Sequence, residues 1–496
     1  MKMNPILAID GYKVSHRAQY PQGTTQVYSN FTPRSDRFFS SPVADGKLVF
    51  FGLQGFLRWF MVDLFNEAFF ARPQEDVVNE YKAVMDSYLG KDAVPVDHIR
   101  ALHNLGYLPL HIKSLDEGST VPMKVPVLTI TNTRDEFFWL VNYLETVLSA
   151  ELWKASTNAT IAHHYRKVCE QWAVKTCCDM SHLDFQCHDF SFRGMAGLQD
   201  TMQAGAGHLL SFKGTDSIPS LLYARDHYTA GEDYFIGASI PATEHSVMCM
   251  GEKEHEIETF RRLIADLYPQ GFVSIVSDTW DYWRVITEYT RELKQIILGR
   301  EGRVVFRPDS GDPVAILCGT GADDDTRGDR SPEEKGSVEV LWEIFGGTVN
   351  EKGYKVLDPH VGLIYGDSIT LARADEILRR LEAKGFASSN VVFGVGSFTY
   401  QYNTRDTFGF AMKATWGAVN GEGRMIFKEP KTDSGLKRSA RGLLRVERDA
   451  RGELQLHDEQ TWEQEKTGEL KTRFLDGKLY NVDHFEQIRQ RLAAQR

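Results

Sequence analysis

A chain of 496 residues, 42% hydrophobic and 25% charged, can bury a large core and has room for about two or three domains. Its net charge of −11 excludes a general nucleic-acid binder, since neutralising phosphates needs a basic face; an anionic small substrate stays open if basic residues converge locally. Six cysteines with no CxxC spacing exclude a disulfide scaffold and read as reduced thiols rather than a zinc site.

The N-terminal MKMNPILAIDGYKVSH reaches Asp10 after an apolar stretch too short for a signal peptide or a membrane span, so a cytoplasmic protein is expected. Residues 1–150 read as α+β, with strands over Gln26–Phe31 and Val125–Ile130 and a helix over Phe137–Leu148. HDFSFRG, from His188, reads either as a core strand with Phe190 and Phe192 on one face or as a loop carrying Arg193. FKGTDS is turn-like and carries Asp216, and IPATEHS sets His245 beside Glu244.

From residue 274 one pattern recurs. SIVSD, VVFRPD, GLIYGDS and VVFGVGS each run from apolar β-formers into a polar or glycine-rich turn, with helices expected over Tyr282–Leu298 and through LARADEILRRLEAKG to Gly385. Alternating strands and helices imply parallel strands with right-handed crossovers, so the loops emerge at one end of the sheet, where α/β barrels build their sites. RPDSGDP, with two prolines that end the strand, is then a shaped substrate loop. GDS and GVGS would let backbone N–H groups approach a phosphate. The acidic stretch from Cys318 to Gly336 reads as a solvated excursion, with Ser331, Pro332 and Glu334 opening a helix that ends near Gly346. The Asp476–Gly477 pair marks a hairpin in a C-terminal segment, 410–496, expected to pack partly on residues 1–150 and leave 151–409 as the barrel-like catalytic domain.

DGYKVSH, VYSNFTPR, HDFSFRG, FKGTD, IPATEHS, SDTWD, RPDSGDP, YGDS and FGVGSF occur in the order found in nicotinamide phosphoribosyltransferases, and the resemblance covers nearly the whole chain. It implies a type II phosphoribosyltransferase fold and a homodimer with two shared active sites. It also implies transfer from phosphoribosyl pyrophosphate to nicotinamide with Mg2+, stimulated by ATP through a phosphohistidine at His245. Residue by residue, Phe190 and the partner subunit's Tyr12 would sandwich the pyridine ring, Asp216 would meet its carboxamide, and Ser239 would contact substrate. Arg307 would reach the amide or phosphates and Asp309 the ribose hydroxyls, while Asp278 would offset charge on the sugar or meet hydrated metal. Gly366, Asp367, Gly396, Ser397 and Arg405 would hold the nucleotide, and Arg193, His245, Arg34 and Lys413 would surround the pyrophosphate.

The sequence departs from that family's pattern at Ser397, where a glycine is usual, at Ala411 in place of serine, and in the longer, more acidic Gly319–Arg330 stretch. Lys437 and Arg438 match a lysine–arginine pair only across a one-residue gap. Two alternatives remain. A nicotinate phosphoribosyltransferase would share the fold but bind a carboxylate, which Asp216 opposes. A non-catalytic sugar-phosphate sensor would bind the same ligand without releasing pyrophosphate.

Overall fold

The structure, a computed structural model, describes residues 3–228, 235–325, 327–428 and 440–496; Lys437 and Arg438 lie outside the described residues. Two sheets dominate. The first is antiparallel, in the order Glu422–Met425, Ala411–Val419, Thr24–Thr32, Leu128–Asn132, Leu110–Ser114, Lys471–Leu475, Lys478–Leu479. C-terminal strands therefore flank N-terminal ones on both sides. The outer hairpin turns through Asp476 at φ 49° and Gly477 at φ 79°, the pair of left-handed residues that a tight two-residue hairpin needs.

The second sheet is parallel throughout: Gly214–Thr215, Cys187–Asp189, Val391–Val395, Val361–Tyr365, Val304–Arg307, Val273–Val276. Its two edges meet. Ala238 bridges to Gly214 and Ala242 bridges to Ser274, both in parallel sense, so one extended segment joins the outermost strands and closes a barrel. Closure removes the open edges that would otherwise expose unpaired N–H and C=O groups.

A 32-residue helix, Glu145–Thr176, runs between the sheets over about 48 Å at the usual helical rise. Leu148 and Leu152 enter the core around the antiparallel sheet, and Ala162, Tyr165 and Cys169 enter the barrel-side core. Locally the expectations meet three differences. The helix expected at Phe137–Leu148 is a short helix, Leu140–Tyr143, ahead of this long one. The strand at Cys187 stops at Asp189, because Ser191 folds onto the Asp189 carboxylate through both its N–H and its hydroxyl. The capping box at Ser331 forms, yet Gly336 at φ 83° breaks the helix into Pro332–Lys335 and Ser337–Phe345.

Candidate active site

All six parallel strands point the same way, so their C-terminal ends deliver one ring of loops: Phe190, Asp216, Asp278, Asp309, Asp367 and Ser397 each follow a strand of the barrel. Below this mouth lies a cavity of about 450 Å³. Phe190, Asp216, Ser239 and Arg307 line its upper part, and Gln186, Arg303 and Val391, from the strands' N-terminal ends, line its lower part. The space therefore follows the barrel axis.

One side of the cavity centres on Asp216. Its Oδ1 accepts a hydrogen bond from His188 Nε2 at 2.9 Å and another from the Ser239 hydroxyl. Burial pushes the Asp216 carboxyl up, but the hydrogen bonds from His188 and Ser239 and the field of Arg307 outweigh it and hold the group below the usual carboxylate range. Asp216 is thus an ionised acceptor on the wall of an otherwise largely apolar space. Phe190 stands beside it, its ring 4.8 Å from the His188 ring at 49°.

The opposite cluster is built on Asp278. It accepts from His245 Nε2 at 3.2 Å through Oδ1 and from the Asp309 N–H at 3.1 Å through Oδ2, tying two loops together. Arg307 donates to the Thr243 carbonyl at 2.6 Å. Its Nε lies 3.6 Å from Asp309 Oδ1, close enough for attraction and too far for a hydrogen bond, and both atoms are buried without a hydrogen-bond partner. Burial pushes the Asp309 carboxyl above its usual range, with Asp278 and Asp367 adding like charge, although Arg307 and His245 pull the other way.

Glycines in these motifs make room for neighbouring side chains. A Cβ at Gly366 would collide with Asp309 Oδ1, one at Gly394 would lie 2.5 Å from Phe190 Cδ2, and one at Gly194 would strike the Ser397 hydroxyl. Only Gly396 of this group has nothing within 4 Å, so it is the position left open for a ligand's close approach. Ser368, in the GDS turn, sits at φ 50°, a left-handed conformation uncommon for a non-glycine residue.

A sequence model of the nicotinate phosphoribosyltransferase family matches residues 185–478, and one of the nicotinamide phosphoribosyltransferase N-terminal domain matches residues 4–97. The chain belongs to the nicotinate phosphoribosyltransferase family. Its relatives include a nicotinamide phosphoribosyltransferase from Acinetobacter baylyi, 59% identical with 100% of this chain and 98% of that one covered. Another nicotinamide phosphoribosyltransferase, from Mycoplasma pneumoniae, is 36% identical, with 86% and 92% covered. The fold matches a nicotinate-nucleotide pyrophosphorylase from Pyrococcus furiosus at TM-score 0.57, with 14% identity over 99% of this chain and 95% of that one. Human nicotinic acid phosphoribosyltransferase matches at TM-score 0.55 with 16% identity, covering 98% and 93%. The type II phosphoribosyltransferase architecture is thereby established.

In this family member the remaining residues singled out by motif lie around the barrel mouth or on the other sheet. Arg193 is exposed in the short turn Phe192–Gly194, and Arg405 is exposed in Arg405–Thr407, 3.3 Å from Asp406. Arg34 donates to the Gly409 carbonyl at 2.7 Å, and Lys413 pairs in register with Asn30 on the antiparallel sheet, in the strand that begins at Ala411. Tyr12 does not line the cavity; it is 60% exposed and packs edge-on against His16. The acidic stretch is less free than its composition implies, because Asp323 takes Arg380 at 2.7 Å and Lys384 bonds to the Cys318 carbonyl at 2.9 Å. His188 is the residue that motif reading passed over. The available signal was its place in a strand two residues before Phe190, which puts both on one face.

Proposed function

We propose that this chain is a nicotinamide phosphoribosyltransferase, joining nicotinamide to phosphoribosyl pyrophosphate to give nicotinamide mononucleotide and pyrophosphate in NAD salvage. The observation that carries the reading is the ionised Asp216 on the wall of the cavity beside Phe190. Such a carboxylate accepts a hydrogen bond from a carboxamide NH2 and repels a carboxylate. The names of the relatives from Acinetobacter baylyi and Mycoplasma pneumoniae support the same activity.

In this reaction the lone pair of the pyridine nitrogen forms the bond to the anomeric carbon while the carbon–oxygen bond to pyrophosphate breaks, and the bonding pair leaves with the pyrophosphate. No general base is required, because that nitrogen carries no proton; the protein's task is orientation and charge stabilisation. Phe190 orients the ring, and the exposed Tyr12 suits a homodimer in which the partner subunit's Tyr12 closes the other face. Asp309 and Asp278 oppose the positive charge growing on the sugar. Arg193, Arg34, Lys413 and Arg405 supply cationic groups for the phosphates, and Gly366, Asp367, Gly396 and Ser397 the nucleotide loops.

Among the described residues no cluster of three or more histidine, cysteine, aspartate or glutamate side chains is shaped to hold a metal. The unpartnered Asp309 Oδ1 and neighbouring Asp278 are hard oxygen donors, a set that fits Mg2+ carried on substrate phosphates. Asp309 and Asp278 would help to hold such an ion, whose chemistry there would be to neutralise charge on the leaving pyrophosphate. ATP fits as phosphoryl donor to His245, whose exposed ring stands beside Asp278; a phosphate there adds negative charge near Arg307 and draws the cation.

Pyrophosphate release measured with nicotinamide, nicotinate and quinolinate in parallel tests the reading. Turnover confined to nicotinate or quinolinate, or binding of phosphoribosyl pyrophosphate with no release, refutes it.

A further inference from the structure

Asp216 can select an amide only if one of its oxygens is held still and the other is free. Two donors converge on Oδ1: His188 Nε2 and the Ser239 hydroxyl. A carboxylate oxygen only accepts, so Nε2 carries the proton and the tautomer is fixed by this contact. Oδ2 has no hydrogen bond to the described residues and remains the acceptor for a ligand. Three further features hold the imidazole. The Cys187–Asp189 strand buries Cys187 and Asp189 and turns His188 to the cavity. Phe190 packs against the ring. Gly214 leaves the space the ring fills, since a Cβ there would lie 2.7 Å from His188 Nδ1.

The backbone under this contact is fixed as well. His188 pairs in register with Gly214 in the parallel sheet, and the Asp216 N–H bonds to the Asp189 carbonyl at 3.1 Å. The imidazole and the carboxylate it addresses are therefore carried on adjacent strand ends whose separation cannot drift. An aspartate with free rotation would lose much of its directional preference to side-chain entropy.

We propose that His188, together with Ser239, is the positioning residue for substrate choice: it pins Asp216 by Oδ1 so that Oδ2 presents a single oriented acceptor to the carboxamide. The inference rests on the proposed amide-binding role of Asp216 and adds to it a residue acting through Asp216.

The test compares the parent, His188→Ala, His188→Gln, Ser239→Ala, Asp216→Ser and the double variant His188→Ala/Asp216→Ser, with melting temperature as the check on folding. His188→Ala raises the KM for nicotinamide about tenfold, the usual effect of losing a hydrogen bond to a charged group, while the KM for phosphoribosyl pyrophosphate and kcat at saturation stay within about twofold. His188→Gln recovers most of the loss, because its amide N–H reaches the same oxygen, and Ser239→Ala moves the same KM in the same direction. In the Asp216→Ser background His188→Ala has no further effect on the nicotinamide KM, a non-additivity that a purely structural histidine would not give. Additive effects in the double variant, or a His188→Ala chain with the parent's nicotinamide KM, overturn the inference. If His188→Ala does not fold, Ser239→Ala, alone and combined with Asp216→Ser, decides it by the same criterion. A parent that fails to turn over nicotinamide refutes the amide reading itself, which is a different result from any of these.

Discussion

Replacing Gly394 by alanine separates the packing role of the glycine loop from its ligand role. The added Cβ would stand 2.5 Å from Phe190 Cδ2, 2.7 Å from Cε2 and 2.9 Å from the Gly366 Cα. The backbone cannot yield, because Gly394 pairs with His188 across the parallel sheet and the next residue's carbonyl accepts from the Phe190 N–H at 2.9 Å. The Phe190 ring must rotate, and the close approach to the Gly366 Cα remains as strain. Overpacking of this kind costs about 1–3 kcal/mol of stability, and a displaced ring forfeits about 0.5–1.5 kcal/mol of stacking, or about 2- to 12-fold in kcat/KM for nicotinamide. Gly396→Ala is the matched control: two residues away, with φ −94° and nothing within 4 Å of the new methyl, it leaves the melting temperature unchanged. It raises the KM for phosphoribosyl pyrophosphate if that open position receives a phosphate. Thermal melts and separate KM values for both substrates read the two effects. A Gly394→Ala enzyme with parental stability and parental nicotinamide kinetics, or a Gly396→Ala enzyme destabilised to the same degree, refutes the reasoning.

Four other outcomes follow from the same structure. Asp216→Ser narrows the preference for nicotinamide over nicotinate, expected at about 10³ or more in kcat/KM for the parent because like charges in a partly desolvated site cost about 4 kcal/mol; an undiminished preference in the variant removes Asp216 as selector. His245→Ala abolishes ATP hydrolysis and ATP stimulation while basal transfer persists, and an ATP-stimulated variant sinks that assignment. Mixing inactive Tyr12→Ala and Arg307→Ala chains under subunit exchange restores up to about a quarter of the sites; heterodimers without activity count against a shared site. Burial lowers His208 to about 4 in the folded chain, so between its unfolded value near 6.5 and that point the unfolded state binds more protons and stability falls as pH drops. His208→Gln should flatten the slope of urea stability between pH 6 and 5 by about 1.2 kcal/mol per unit, and an unchanged slope refutes it.

The barrel's site loops were legible because a parallel strand announces itself as an apolar run ending in a turn, and the turn's polar residues then share one end of the sheet. SIVSD, VVFRPD, GLIYGDS and VVFGVGS lead to the observed strands beginning at Val273, Val304, Val361 and Val391. Barrel closure was not legible: the segment from Ala238 to Ala242 joins the edges through single bridges, too few to impose an alternating pattern. The glycines mislead for a related reason. An absent side chain does not record what occupies its place, and in Gly394, Gly366 and Gly214 the occupants are Phe190, Asp309 and His188, each distant or unremarked in the sequence. Tyr12 illustrates the remaining limit, since an exposed ring carries no signature of the surface it would meet.

In the proposed reaction the arrangement around Asp309 would let an acidic mouth handle a polyanion. Arg307 Nε and Asp309 Oδ1 face each other at 3.6 Å with neither hydrogen-bonded, and burial and the neighbouring Asp278 and Asp367 make the Asp309 charge costly. A neutral sugar relieves little of that cost. A sugar carrying the positive charge that the proposed reaction develops would relieve much more, so the interaction would strengthen as the carbon–oxygen bond breaks, which is the condition for lowering a barrier rather than only tightening binding. Gly366 is part of the same device, because any side chain there would occupy the position of Asp309 Oδ1. The raised Asp309 carboxyl also sets the cost of this design: protonation removes the opposing charge at a higher pH than for an ordinary aspartate, so transfer that depends on the ionised form declines correspondingly early as the medium is acidified.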